Sequence, residues 1–188
     1  MEFPNNKNGM SEVPEERLRR VLTLYKPEFR YLFKAKTKYP MAEGSFQFGG
    51  SGYTEKASEN ITLPEAQLCL EQLASVAFGE WLQEGKLFKT EMNFDDYLKI
   101  LGEKIFPSSN HLIFSEPMSK NKVVIPGKIL YVNDTLYKDN KLGDLFIVSL
   151  KCEMENEILK GLVDFAFIAK PFIEIGKKTE IIDKEISE

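Results

Sequence analysis

The sequence predicts an α+β fold in which a curved antiparallel β-sheet wraps around one long central α-helix, and three observations lead there. Residues 62–84 carry a helical pattern whose apolar side chains point in nearly every direction around the axis. Two strand-like segments precede this helix and four follow it. The later segments are separated by turn chemistry short enough for hairpins, which makes the sheet antiparallel. A helix that is apolar all round cannot be buried on one flat sheet face, so the sheet has to curve about it.

The elements follow in order. Residues 1–14, rich in Asn, Pro and Glu, are expected as a frayed tail, with one domain over 15–172 and a charged tail over 173–188. Residues 16–25 give a short helix with Leu18, Val21, Leu22 and Tyr25 on one side, closed by Pro27. Residues 30–39 read as the first strand. Residues 44–55 alternate aromatic and small side chains around Gly49, Gly50 and Gly52, which suits a strand with a bulge. The period changes at Thr62, where Thr-x-x-Glu forms a capping box with Glu65, and Pro64 is tolerated in the first turn. A second helix is expected from Asn93, an N-cap followed by Asp95 and Asp96, to just before Pro107. Strands are then expected over 111–115, 122–137, 145–152 and 158–170.

Composition narrows the function. A chain of 188 residues with 43% hydrophobic residues supports one sizeable core. With 25 Lys+Arg against 29 Asp+Glu there is no basic field to hold a nucleic acid or an anionic membrane. Cys69 and Cys152 stand far apart in apolar segments, with no metal-ligand or Cys-x-x-Cys spacing, and read as reduced core residues. No apolar run follows the N-terminus and no uninterrupted apolar stretch exceeds five residues, so a cytoplasmic, unanchored protein is expected.

The polar residues of the central helix carry the chemistry. Gln67, Glu71 and Ser75 stand at i, i+4 and i+8 and form one stripe, with Gln72 beside it. A carboxylate in a buried helix must be paired, protonated or turned to a wet cavity. Glu71 is therefore either a general base or acid with a raised pKa, or the buried partner of a Lys or Arg from a strand or from a dimer partner. Ser75 lacks any His within reach for a nucleophilic triad and reads as a hydrogen-bonding residue. Trp81 and Phe78 read as core.

Leu68-Cys69-Leu70-Glu71-Gln72-Leu73-Ala74-Ser75-Val76-Ala77-Phe78 resembles the central helix of the FcoT-like long-chain fatty acyl-CoA thioesterases, a hot-dog family. Leu24-Tyr25, Arg30-Tyr31-Leu32-Phe33, the Gly-rich approach to Tyr53, Phe94-Asp95-Asp96-Tyr97 and Gly161-Leu162-Val163-Asp164 agree in the same order, so the resemblance covers residues 16–170. It implies a hot-dog fold, homodimers joined sheet edge to sheet edge, a hexamer of three dimers, and a ligand lying along the dimer interface. It also implies an acyl-CoA or acyl carrier protein as substrate, with coenzyme A or phosphopantetheine present only as part of that substrate, and no metal or separate cofactor.

Two tyrosines and a polar helix side chain line the acyl thioester site of that family, and they match Tyr25, Tyr53 and Glu71. A member of the family has Asn where this chain has Glu71, whereas many other hot-dog thioesterases place a carboxylate on this helix. With Glu present, the resemblance implies that Glu71 activates water or attacks the thioester carbonyl. A backbone N–H near the helix start would hold the oxyanion, and Tyr53 or Tyr25 would orient the carbonyl or water. Thr62, Gln67, Gln72 and Ser75 are the expected substrate-binding residues. The competing reading is a lyase or transferase on enoyl- or 3-hydroxyacyl-carrier protein, including glycine addition to an enoyl thioester. A third is a non-catalytic acyl-binding module. A FabZ-type dehydratase pairs such a Glu with a His on the preceding loop, but residues 57–62 contain none and the only histidine is His111.

Other motifs weigh less. Gly49-Gly50-Ser51-Gly52 lacks the Gly-Lys-Ser/Thr of a phosphate loop. Asn60-Ile61-Thr62 is a formal glycosylation sequon at the approach to the helix cap. Asp164, on the same face of an apolar strand as Leu162 and Ala166, is expected to be a buried partner of a Lys or Tyr.

Overall fold

The computed structural model describes residues 9–48, 59–139 and 143–173. They form one seven-stranded antiparallel sheet packed against a long helix. The strands are β1 (Ser11–Glu12), β2 (Leu32–Lys38), β3 (Met41–Phe46), β4 (Ile105–Phe114), β5 (Ile125–Asp139), β6 (Gly143–Met154) and β7 (Leu159–Ile168), in the sheet order β1-β2-β3-β5-β6-β7-β4. The helices are α1 (Glu15–Leu22), α2 (Leu63–Gln83) and α3 (Phe94–Ile100), with a 3₁₀ turn at Pro27–Phe29.

Capping and close packing fix α2. The Thr62 N–H and hydroxyl both donate to the Glu65 carboxylate, at 2.9 and 2.8 Å, and Lys120 Nζ reaches the other Glu65 oxygen at 2.7 Å. A short bridge between Asn60 and Ser119 holds this capping strap in place. Every residue from Gln72 to Gly79 is buried, as expected of a helix that is apolar all round. The curved sheet supplies one side of that burial through β2, β3, β5 and β4, and α1 and α3 supply the other. A sheet alone would leave the outer apolar directions of α2 in water, and the two short helices close them.

Three contacts fasten that second layer. Arg17 forks onto both Glu80 oxygens at 3.1 Å, and its guanidinium lies 5.3 Å from the Phe94 ring centroid. The Tyr97 hydroxyl donates to the Ser75 carbonyl. Gly79 leaves room for the α3 rings, because a Cβ there would stand 2.7 Å from Phe94 and 2.8 Å from Tyr97. The aromatic core continues through edge-to-face contacts of Phe78 with Trp81, Phe165 and Phe167, and of Phe88 with Phe172.

The strand reading needs several adjustments. Order begins before Glu15: Ser11 and Glu12 pair with Thr37 and Lys36, and Val13 is buried. β3 begins at Met41, directly after the tight connection at Tyr39-Pro40, and the expected glycine bulge at 49–52 lies outside the described residues. β4 begins at Ile105 rather than 111 and runs through Pro107. Proline is tolerated there because β4 is the free edge of the sheet, paired only with β7 and bulged between Pro107 and Ser109. Asp164 faces outward and accepts from Ser109 Oγ at 2.5 Å, so its partner is a serine on the edge strand rather than a buried Lys or Tyr. No helix of the described residues is long and apolar enough to cross a membrane.

Candidate active site

The helical stripe of α2 opens onto a cavity of about 170 Å³ between the end of α1 and the α3–β4 connection. Glu71, Ser75 and Tyr25 supply its polar lining, and Leu24, Leu101, Ile105, Phe106, Pro107 and Phe165 its apolar walls. One turn separates Glu71 from Ser75, so both face this opening. Tyr25 arrives from the segment after α1, which is held in place by an Arg30 Nε–H donating to the Tyr25 carbonyl at 2.9 Å.

Hydrogen bonds orient each polar group. Gln67 Nε2–H donates to Glu71 Oε1 at 2.8 Å, and Gln67 Oε1 accepts from Asn110 Nδ2 on β4 at 2.9 Å. The Tyr25 hydroxyl and Ser75 Oγ lie 3.3 Å apart. No ion pair reaches Glu71 among the described residues, so no strand Lys or Arg of the same subunit is its partner there.

The electrostatics follow from burial. Loss of water pushes the Glu71 carboxyl above its ordinary range, opposed by the hydrogen bond from Gln67. Burial pushes the Tyr25 phenol up to about 12, the hydrogen bond to Ser75 opposes it, and the charge of Glu71 adds to the rise. At neutral pH the cavity therefore presents a neutral phenol donor beside a carboxyl of raised proton affinity. This pairing can polarise a carbonyl and take a proton from water.

The expected substrate-binding residues separate. Gln67 and Ser75 belong to the network just described. Gln72 is one residue and about 100° further round the helix, and it turns the other way. Its Oε1 accepts from the Tyr31 and Leu32 N–H groups at 3.0 Å each, and its Nε2–H donates to the Phe29 carbonyl at 2.5 Å, so its amide is consumed in fastening the start of β2. Thr62 stands about 13 Å along the axis from Glu71 at 1.5 Å per residue, and its N–H is used in the cap. Within one subunit the helix start and the cavity are thus separate. Tyr53 lies outside the described residues.

Two features escape a reading of the sequence. Asn110 joins the network from β4, yet it sits just outside the strand expected at 111–115. His111 is exposed on the opposite face of the same strand, since successive side chains of a strand alternate and Asn110 points to α2. His111 and Glu71 of one subunit therefore do not form a His/Glu pair. No group of metal-ligating side chains occurs among the described residues.

No protein-family model matches the sequence, and no curated protein matches it significantly. Solved structures do resemble the fold. The dehydratase domain of RzxB from Pseudomonas fluorescens aligns with a TM-score of 0.50 and 8% identity over 87% of this chain, which spans 50% of that domain's chain. The dehydratase domain from the CurJ module of the curacin polyketide synthase aligns at 0.44 with 10% identity, covering 89% of this chain and 52% of its own. Thioesterase HI1161 from Haemophilus influenzae aligns at 0.37 with 8% identity, covering 71% and 79%. Identities this low speak to fold alone. Together with the seven-stranded sheet packed against α2, the match to the RzxB dehydratase domain gives this chain the hot-dog fold.

Proposed function

We propose that the protein hydrolyses an acyl thioester carried on coenzyme A or on the phosphopantetheine of a carrier protein. The observation that carries the reading is the shared cavity, in which a carboxyl of raised proton affinity and a neutral phenol meet apolar walls. Glu71 takes a proton from water as the water oxygen bonds to the carbonyl carbon. The Tyr25 hydroxyl donates to the carbonyl oxygen as it gains charge. When the carbon–sulfur bond breaks, the proton held on Glu71 passes to the leaving thiolate, and Glu71 returns to its starting state. No metal or separate cofactor enters these steps.

The size of the cavity shapes the substrate. About 170 Å³ lies below the lower end of ordinary ligand sites, about 300 Å³. Within the described residues it holds the reacting carbonyl and a short apolar segment. A long acyl chain would extend beyond it, towards the free β4 edge, where a second subunit would join sheet to sheet in a homodimer.

The test is to incubate the purified protein with acyl-CoAs and with enoyl-carrier proteins of several chain lengths, with and without glycine, following thiol release and product mass. Thiol release with formation of the free acid is the expected outcome. A mass increase on the carrier without thiol release would move the protein to addition or elimination chemistry. Saturable binding without turnover of any substrate would leave an acyl-binding module.

A further inference from the structure

We infer that Asn110, on the free edge strand β4, is a positioning residue that sets the polarity of the Gln67 amide and through it the hydrogen bond to Glu71. The inference rests on the reading of Glu71 as the base. Its geometric support is the two-step chain in which Asn110 Nδ2–H donates to Gln67 Oε1 at 2.9 Å and Gln67 Nε2–H donates to Glu71 Oε1 at 2.8 Å.

A glutamine amide offers an acceptor at one end and a donor at the other, and by itself it can present either. Asn110 presents its Nδ2–H to Gln67 Oε1, and that orientation selects one of the two. Once Asn110 holds the carbonyl, the NH₂ must face Glu71, and the carboxyl is met by a donor that favours its ionised form. With the amide reversed, a carbonyl oxygen would face the carboxyl, which would then need a proton to make the bond. The residue at position 110 thus selects between an ionised and a protonated base without touching it.

The surroundings of Glu71 leave this chain in control. Gln67 and Ser75, its neighbours on α2, are uncharged, as is Asn110 on β4. Tyr25, from the segment after α1, is the titratable group coupled to Glu71, and burial keeps it protonated at neutral pH. Tyr97, from α3, is committed to the Ser75 carbonyl. No ion pair reaches Glu71 among the described residues.

The substitution Asn110→Asp replaces the donor with an acceptor. Gln67 then turns its NH₂ toward β4 and its carbonyl toward Glu71, and the titration midpoint of Glu71 rises. The direct readout is the midpoint of the Glu71 carboxyl by ¹³C NMR in the ligand-free protein, its signal assigned by its absence in Glu71→Gln. The set is wild type, Asn110→Asp, Gln67→Ala and the double variant, because a new carboxylate also acts through space. If Gln67 carries the effect, the upward shift in the wild-type background exceeds that in the Gln67→Ala background. Equal shifts in the two backgrounds, or no shift, would overturn the inference. Asn110→Ala, which adds no charge, is expected to move the midpoint upward by less, and it serves if the Asp variant does not fold.

In thiol release, the same change moves the acidic limb of the pH profile to higher pH. The expected loss is about tenfold in kcat/KM on that limb for each unit of displacement, with the plateau at high pH retained. A uniform loss at every pH with an unmoved limb indicates a merely structural role and would also overturn it. A shifted NMR midpoint in a protein that releases no thiol would uphold the positioning role while sinking the hydrolase reading.

Discussion

At the scale of single residues, the proposed base Glu71 would set function against stability. Burial raises its folded pKa above the unfolded value, near 4.5, so the folded state binds the proton more tightly than the unfolded chain. Below pH 4.5 both states are protonated and folding carries no penalty from this group. As pH rises through the raised folded pKa, the native protein carries a carboxylate it solvates less well than the unfolded chain does, and stability falls. Glu71→Gln should therefore stabilise the protein at pH 8 by about 0.5 kcal/mol, discounted because the cavity keeps the carboxyl partly solvated. Urea unfolding at pH 8 and pH 4 should show that gain shrinking at the lower pH. Tyr25→Phe removes a donor without emptying space, and kcat/KM should fall roughly hundredfold to thousandfold. Because the phenol titrates at about 12, the wild type should show no alkaline limb from Tyr25 below about pH 10. The i, i+4, i+8 spacing made Gln67, Glu71 and Ser75 legible as one face. It misjudged Gln72, whose amide is directed by three backbone groups of a segment distant in sequence. Asn110 was invisible because its role depends on the register of an edge strand through a proline bulge.

At the scale of elements, the two ends of α2 are held by different physics. At its start, Glu65 is 1% exposed and paired with Lys120, itself 9% exposed. Removing only the cation leaves a buried carboxylate supported by the cap alone, so Lys120→Met should destabilise by about 3 kcal/mol in chemical denaturation. Farther along, Gly79 poses a contest of magnitudes. Alanine is favoured over glycine in a helix by about 1 kcal/mol, but a Cβ 2.7 Å from Phe94 and 2.8 Å from Tyr97 must displace two packed rings. Such overpacking costs about 1–3 kcal/mol. The clash should win, with Gly79→Ala destabilising by roughly 1 kcal/mol and loosening α3, seen as faster hydrogen exchange over 94–100. The capping box and the all-round apolar pattern announced α2 from sequence to within a residue at each end. The layer formed by α1 and α3 was not foreseen, because a helical pattern records which directions are apolar and not which neighbour covers them.

At the scale of the whole molecule, the hot-dog fold brings together parts that are far apart in the chain. Tyr25 follows the first helix, Glu71 and Ser75 lie on the central one, and Phe165 comes from β7, yet all four line one cavity. Hairpin turns and strand alternation made the antiparallel sheet legible, whereas the position of β4 at its edge, which places Asn110 beside α2, is set by pairing over long sequence distances. The central claim is that this cavity hydrolyses acyl thioesters with Glu71 as the base. Its most direct test is the pH dependence of kcat/KM for thiol release from an acyl-CoA, wild type against Glu71→Gln. The wild-type rate should rise with pH through a limb above the ordinary glutamate range, and the Gln variant should fall at least about 100-fold and lose that limb. A Glu71→Gln protein that turns over at the wild-type rate with an unchanged profile would contradict the account.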